Sequence, residues 1–211
     1  MSLLFLHAFP VDERMWEPQR RLEGRAPRLY GRGRTMDAWA DSILAEVDGE
    51  PVVVGASMGG YCALALARRA PERIRGLLLE GSRPGADTPD RRAGRADTIR
   101  LIRERGPDAL WEDMKPKLFA DPDAADDSLR YGDPDHLVDA VSAIRDREDL
   151  TEVARALGER LLFVVGDRDP FVSASDLREF EVRELPGAGH LPSLERPEEF
   201  NTILEEFVAR V

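Results

Sequence analysis

Three residue types that can act together on a carbonyl carbon lie far apart along this chain. Ser57 sits in Gly55-Ala56-Ser57-Met58-Gly59-Gly60, between a β-branched run and a helix-forming one. A neutral serine is a weak nucleophile and needs a base to take its proton as it attacks. His190, carried by Pro186-Gly187-Ala188-Gly189-His190-Leu191-Pro192, can be that base. A carboxylate must hold the imidazole in the right tautomer and stabilise the imidazolium. Gly166-Asp167-Arg168-Asp169 offers two, Asp167 and Asp169. The chain order is then nucleophile, acid, base, each just past a stretch that reads as a strand. Such chemistry also needs N–H donors aimed at the developing oxyanion. The amide of Met58, beside the nucleophile, and that of Phe9, in the loop His7-Ala8-Phe9-Pro10, are the candidates.

The elements around these residues must place them. Val52-Val53-Val54 reads as a buried strand, and Tyr61 to Arg68 as a helix reaching about Ala70, where Pro71 stops it. A serine between them occupies a sharp turn that needs glycine neighbours where strand and helix crowd together. It also lies at a helix N-terminus, where free N–H groups and the dipole favour negative charge. Residues 2 to 7, Ile74 to Leu79, Leu161 to Val165 and Glu181 to Leu185 read as further strands, with a weaker one at Arg28 to Tyr30. Asp12 to Leu22 predicts a short helix with Trp16 inward. Thr35 caps a helix through Val47, Ser173 to Phe180 forms a short one, and Pro197 to Val208 forms the last. Alternating strand and helix implies a parallel sheet covered on both faces.

Between about Ser82 and Leu150 strand signals vanish while charge, Pro and Gly rise. Asp97 to Arg105, Pro107 to Phe119 and Pro134 to Arg145 predict helices, and Pro116 should kink or end the second. A helical insertion here would decide what enters the site. Trp111 and Met114 from this region, with His7 and Leu191 from the reactive loops, are the candidate pocket residues. The plainer reading of Trp111, Met114 and Phe119 is a small core within the insertion, and that of His7 a ring that holds its loop. Arg83, Arg91, Arg92, Arg95 and Arg100 either bind a substrate carboxylate or form a solvated helix face.

The 211 residues fit one domain with a substantial core. A formal charge of -11 argues against nucleic acid or an anionic membrane as partner. One cysteine, Cys62, rules out an internal disulfide and suits a reducing compartment. Leu3-Leu4-Phe5-Leu6 has neither a basic leader nor the length of a membrane span, so a cytoplasmic location is expected. Three histidines and one cysteine show no metal-ligand spacing, and no cofactor is expected.

Together these motifs resemble the α/β-hydrolase family over essentially the whole chain. The matching pieces are His7-Ala8-Phe9-Pro10 with Trp16, Gly55 to Gly60, Gly166 to Asp169, and Gly187 to His190 followed by Glu195-Arg196-Pro197. The resemblance implies an α/β fold with a mostly parallel sheet of about six strands, the family's first strands being missing. It implies a hydrolase core over 1–82 and 151–211, with a helical cap at 83–150. It puts the acid at Asp169, leaving Asp167 a loop-forming role and Glu80 a remote alternative. The family usually has Gly where Ala8 stands, and its Asp-x-x-Gly turn is reduced here to Tyr30-Gly31-Arg32-Gly33. The activity implied is a cofactor-independent serine hydrolase of a small ester, lactone or thioester, through an acyl-enzyme on Ser57. The Ser-Met-Gly-Gly variant is similar to that of enol-lactonases and small carboxylesterases. Alternatives are a lyase like that of menaquinone synthesis, a carbon–carbon bond hydrolase, or a non-catalytic ligand-binding homologue. A small molecule is the expected partner, and oligomeric state is left open.

Overall fold

A computed structural model describes residues 2–211. Its centre is one six-stranded sheet in the order β2-β1-β3-β4-β5-β6. The strands are β1 (Leu3–Leu6), β2 (Gly24–Arg25), β3 (Val52–Ala56), β4 (Gly76–Glu80), β5 (Leu161–Gly166) and β6 (Val182–Leu185). All five pairings are parallel, with Leu3 opposite Val52, Val52 opposite Gly76 and Leu77 opposite Leu161.

The inner strands are apolar, Glu80 at the end of β4 excepted, because both faces are covered. Alternate residues feed two cores. Leu4, Leu6, Val53, Leu77, Leu79 and Phe163 pack with α1 (Met36–Glu46) and α2 (Met58–Arg69). Leu3, Phe5, Val52, Val54, Leu78 and Val164 pack with Trp16 and with Phe200, Leu204 and Phe207 of the last helix, Pro197–Arg210. Each large side chain removed from water on these faces contributes about 1.5–3 kcal/mol.

Strand winding reverses direction at β1 and β3, since β2 lies on one side of β1 and every later strand on the other. Open parallel sheets bind ligands outside the carboxyl ends of strands at such a switch point. Phe9 follows β1 and Ser57 follows β3, so both lie there.

Between β4 and β5 come three helices, α3 (Pro89–Leu118), α4 (Pro134–Asp146) and α5 (Thr151–Leu157). Helix α3 covers both helices expected from sequence. It breaks at Gly106, whose φ of 80° no side chain favours, and not at Pro116, two residues before its end. Ile102, Leu110 and the buried face of α4 join the same core as Leu4 and Val53.

One other expectation needs correction. Arg28 to Tyr30 is not a strand, because the Leu29 N–H donates to the His7 ring at 2.9 Å instead of to a ladder. The strand beside β1 is the two-residue β2, where a Cβ on Gly24 would sit 2.4 Å from the Phe5 ring. Helix α5 was not anticipated; it is short, and Asp149 Oδ1 accepts from Thr151 N at 2.9 Å at its start. No helix among the described residues is long and apolar enough to cross a membrane.

Candidate active site

The turn bearing Ser57 is shaped by sterics. Ser57 has φ 47° and ψ -106°, a backbone state that non-glycine residues rarely hold. It persists because its surroundings leave no alternative. A Cβ on Gly59 would lie 2.0 Å from the Leu6 carbonyl oxygen, and one on Gly60 2.0 Å from Ser82 Oγ. The Ser57 N–H donates to the Glu80 carbonyl at 2.8 Å, and Ser82 Oγ donates to the Ser57 carbonyl at 3.0 Å.

His190 reaches this serine from the other side. Its Nε2 lies 2.9 Å from Ser57 Oγ and its Nδ1 2.8 Å from Asp169 Oδ2. An ionised carboxylate only accepts, so Nδ1 carries the proton and Nε2 is free to accept from the Ser57 hydroxyl. Asp169 is fixed in turn, its Oδ1 accepting from Phe171 N at 2.7 Å and Val172 N at 3.2 Å. The imidazole is closely packed. It meets the Phe171 ring edge-on with centroids 4.8 Å apart, and Gly81 lies so near that a Cβ would fall 2.8 Å from Cε1.

The histidine loop is anchored by several bonds, among them that of Arg168 N to the Ala188 carbonyl at 3.0 Å. Asp167 Oδ1 accepts from Gly187 N at 2.7 Å. Glu195 accepts from Gly189 N at 2.6 Å with one oxygen and from Ala120 N at 2.7 Å with the other. The His190 N–H donates to the Leu118 carbonyl at 2.9 Å, at the end of α3. Glu80 lies beneath the loop, fully buried, with Ser193 N 2.8 Å and Ser193 Oγ 2.6 Å from its carboxyl oxygens. Burial pushes its carboxyl up to about 8, although the Ser193 contacts pull the other way. Glu80 therefore bonds Ser193 and makes no bond to His190.

The loop after β1 supplies Phe9. Among the described residues the Phe9 N–H donates to no protein acceptor, and Met58, as the first residue of α2, has no intrahelical partner for its own. Ala8, where a glycine was expected, is fully buried and its N–H donates to Met15 Sδ at 3.2 Å.

Ser57 and His190 open into a narrow cavity with about 30 Å³ of free space. Of the four side chains expected to line it, only Met114 does. His7 is buried, with Nδ1 donating to the Ala8 carbonyl at 3.0 Å and Nε2 accepting from Leu29 N. Burial pulls its pKa down to about 4, so it is a neutral loop clasp. Trp111 packs against Phe119 and donates Nε1 to Asp127 Oδ1 at 2.7 Å. Leu191 is fully buried in the core beneath the histidine loop. The other walls are Phe9, Tyr61, Leu118, Ile144 and Phe171, together with Arg91 and Arg95. Tyr61 stands one helical turn after Ser57 and Phe171 two residues after Asp169, spacings that point back to the site. Leu118 and Ile144 carry no such signal.

A parallel sheet with a serine on a strained strand-to-helix turn, bonded to a histidine that is bonded to an aspartate, defines a known class of proteins. The chain belongs to the alpha/beta hydrolase family, whose profile matches residues 3–203. It is 26% identical over 211 residues to the pimeloyl-[acyl-carrier protein] methyl ester esterase of Neisseria meningitidis serogroup C, covering 90% of this chain and 82% of that protein. A stretch of 94 residues is 37% identical to the protein of the same name from Aromatoleum aromaticum, covering 39% of this chain and only 38% of that relative. Among solved structures, a thermophilic esterase from Thermogutta terrifontis with malate bound superposes with a TM-score of 0.86 at 28% identity, over 100% of this chain and 90% of that one.

Proposed function

We propose that this chain is a cofactor-independent serine hydrolase of small carboxylic esters, lactones or thioesters, working through an acyl-enzyme on Ser57. The observation that carries this reading is the unbroken chain from Ser57 Oγ to His190 Nε2 at 2.9 Å and from Nδ1 to Asp169 at 2.8 Å. Esterase relatives support it.

The steps follow from that geometry. Ser57 Oγ attacks the substrate carbonyl carbon as its proton passes to Nε2, and Asp169 stabilises the imidazolium. The carbonyl oxygen becomes an oxyanion between the N–H groups of Phe9 and Met58, each worth roughly 3 kcal/mol in the transition state. Collapse expels the alcohol or thiol, which takes the proton from Nε2 and leaves the acyl group on Oγ. Water then attacks the acyl carbon, gives its proton to Nε2, and the acid leaves as that proton returns to Oγ. Residues 83–150 act as a lid over this site, with Met114, Leu118 and Ile144 as its apolar ceiling.

Intact mass after treatment with a fluorophosphonate probe tests the proposal, with Ser57→Ala as control. A single adduct on the native chain, absent from the variant, is the expected result. No adduct on the folded protein would point to the non-catalytic, ligand-binding alternative.

A further inference from the structure

We infer that the substrate of this site carries a free carboxylate, held by Arg91 and Arg95 of α3, so that the preferred esters are half-esters of small dicarboxylic acids. This inference rests on the esterase reading above and names its substrate class. Arg91 and Arg95 stand four residues apart on one helix face, and both line the cavity that holds Ser57 and His190. Each is only partly engaged by the protein. Arg91 donates Nη2 to the Phe171 carbonyl at 3.1 Å, and Arg95 donates Nε to Asp87 Oδ2 at 3.0 Å. Their remaining N–H groups have no protein partner among the described residues.

The charge around them is unbalanced. Asp87, whose side chain is fully buried, is shared between Arg95 and Arg147, the latter 2.8 Å away. Arg83 shares the Phe171 carbonyl with Arg91, and its Nε is buried without a partner. No carboxylate lies within salt-bridge distance of Arg83 or Arg91 among the described residues. Asp176, the acid that acts on both through space, is held by Ser173 at 2.9 Å. Burial lowers the pKa of Arg83, and Arg91 and Arg147 lower it further. Four guanidiniums therefore crowd this corner of a chain whose formal charge is -11.

Arg83 and Arg91 are half-buried without an anion, which is costly, and Arg95 keeps free donors beside its bond to Asp87; the planar fork of each fits a carboxylate with two parallel bonds. Holding α3 to the Phe171 loop and to Asp87 uses one donor from each arginine and leaves the rest aimed at no protein group. The rest of the cavity that holds them and Ser57 is mostly apolar, with Phe9, Met114, Leu118, Ile144 and Phe171 in its walls. Two cationic forks, an apolar spacer and a reactive serine match a short aliphatic chain with an ester at one end and a carboxylate at the other.

The test compares kcat/KM for the monomethyl esters of succinate, glutarate and adipate with neutral methyl esters of equal chain length. We expect a preference of tenfold or more for the charged ester at one length at least. It should weaken as salt rises, and collapse toward unity in the Arg91→Met/Arg95→Met double variant through a higher KM. Lysines at both positions should restore part of it. Equal or poorer turnover of the half-ester at every length, or an unchanged ratio in the double variant, would overturn the inference and leave the esterase reading standing. Should no ester be turned over, calorimetric binding of the same half-esters to Ser57→Ala decides. Binding that weakens at least tenfold on loss of both arginines supports the carboxylate site, and no binding at any length overturns it.

Discussion

Asp167 and Asp169 stand two residues apart after β5, yet only Asp169 reaches His190. Asp169 Oδ2 lies 2.8 Å from the imidazole Nδ1, whereas Asp167 Oδ1 accepts from the backbone of Gly187 at 2.7 Å. One carboxylate orients the ring and the other holds the loop that carries it. Asparagine at 169 can present an N–H to Nδ1 and favour the wrong tautomer, so Asp169→Asn should lower kcat on an activated ester by about 10⁴-fold. Asparagine at 167 keeps an oxygen that can accept from Gly187, and Asp167→Asn should cost less than about tenfold, since only a neutral bond replaces a charged one. Equal losses would reverse the assignment of the acid.

The glycines of the Ser57 turn make a separate, structural prediction. Gly59→Ala would force a methyl against the Leu6 carbonyl, 2.0 Å away, where neither backbone can yield. Its cost should reach the top of the usual overpacking range, about 3 kcal/mol or more. Gly94, inside α3 and with nothing within 4 Å of its would-be Cβ, is the counterpart. Gly94→Ala should stabilise by about 0.5–1 kcal/mol through helix propensity alone. Urea unfolding of both variants gives the two signs directly.

Much of this site could be read before any coordinates, and the reason is steric. Gly55, Gly59 and Gly60 mark a turn that only a tight strand-to-helix crossing needs, and the Pro186 to Pro192 loop marks a histidine free of regular structure. The sheet was legible because strands covered on both faces are continuously apolar. The insertion was not. Trp111 and Met114, three residues apart on the segment after Gly106, share one side of the helix, so sequence spacing could not tell that Met114 reaches the cavity while Trp111 bonds Asp127. Gly81, by lying against the His190 ring, and Ser82, by donating Oγ to the Ser57 carbonyl, shape the site without leaving a motif. His7 beside a reactive loop resembles a pocket residue, and its bonds to Ala8 and Leu29 match the plainer reading of a ring that holds its loop.

Glu195 spans the histidine loop and the end of α3, accepting from Gly189 at 2.6 Å and Ala120 at 2.7 Å. Glu195→Ala would leave two half-buried N–H groups without acceptors, a cost of about 1–3 kcal/mol each if no water replaces it. His190 would then lose a fixed approach to Ser57. The expected result is a kcat lowered by about tenfold or more, since loosened geometry at the reacting atoms is expensive. Glu195→Gln retains one acceptor and should recover part of the rate. A variant with lowered melting temperature but native kcat would show that the clamp serves stability alone.

Two buried groups predict how stability changes with pH, in opposite directions. Glu80 keeps its proton in the fold up to about 8, against 4.5 ordinarily. Its contribution is whole below pH 4.5 and drains away as pH rises to 8, because the unfolded chain releases the proton first. His7, lowered from 6.5 to about 4, stays neutral in the fold where the unfolded chain would take up a proton. Its contribution is lost as pH falls from 6.5 to 4. The two slopes oppose each other between pH 4.5 and 6.5, and from 6.5 to 8 only that of Glu80 remains. Glutamine at 80 mimics the protonated acid, with an amide for Ser193 Oγ and an oxygen for Ser193 N, and it does not titrate. Glu80→Gln should therefore gain stability relative to the native chain as pH rises from 6.5 to 8, read as a widening gap in denaturation midpoints. A constant gap across that range would mean that Glu80 is already ionised in the fold, with Ser193 N and Oγ both donating to it.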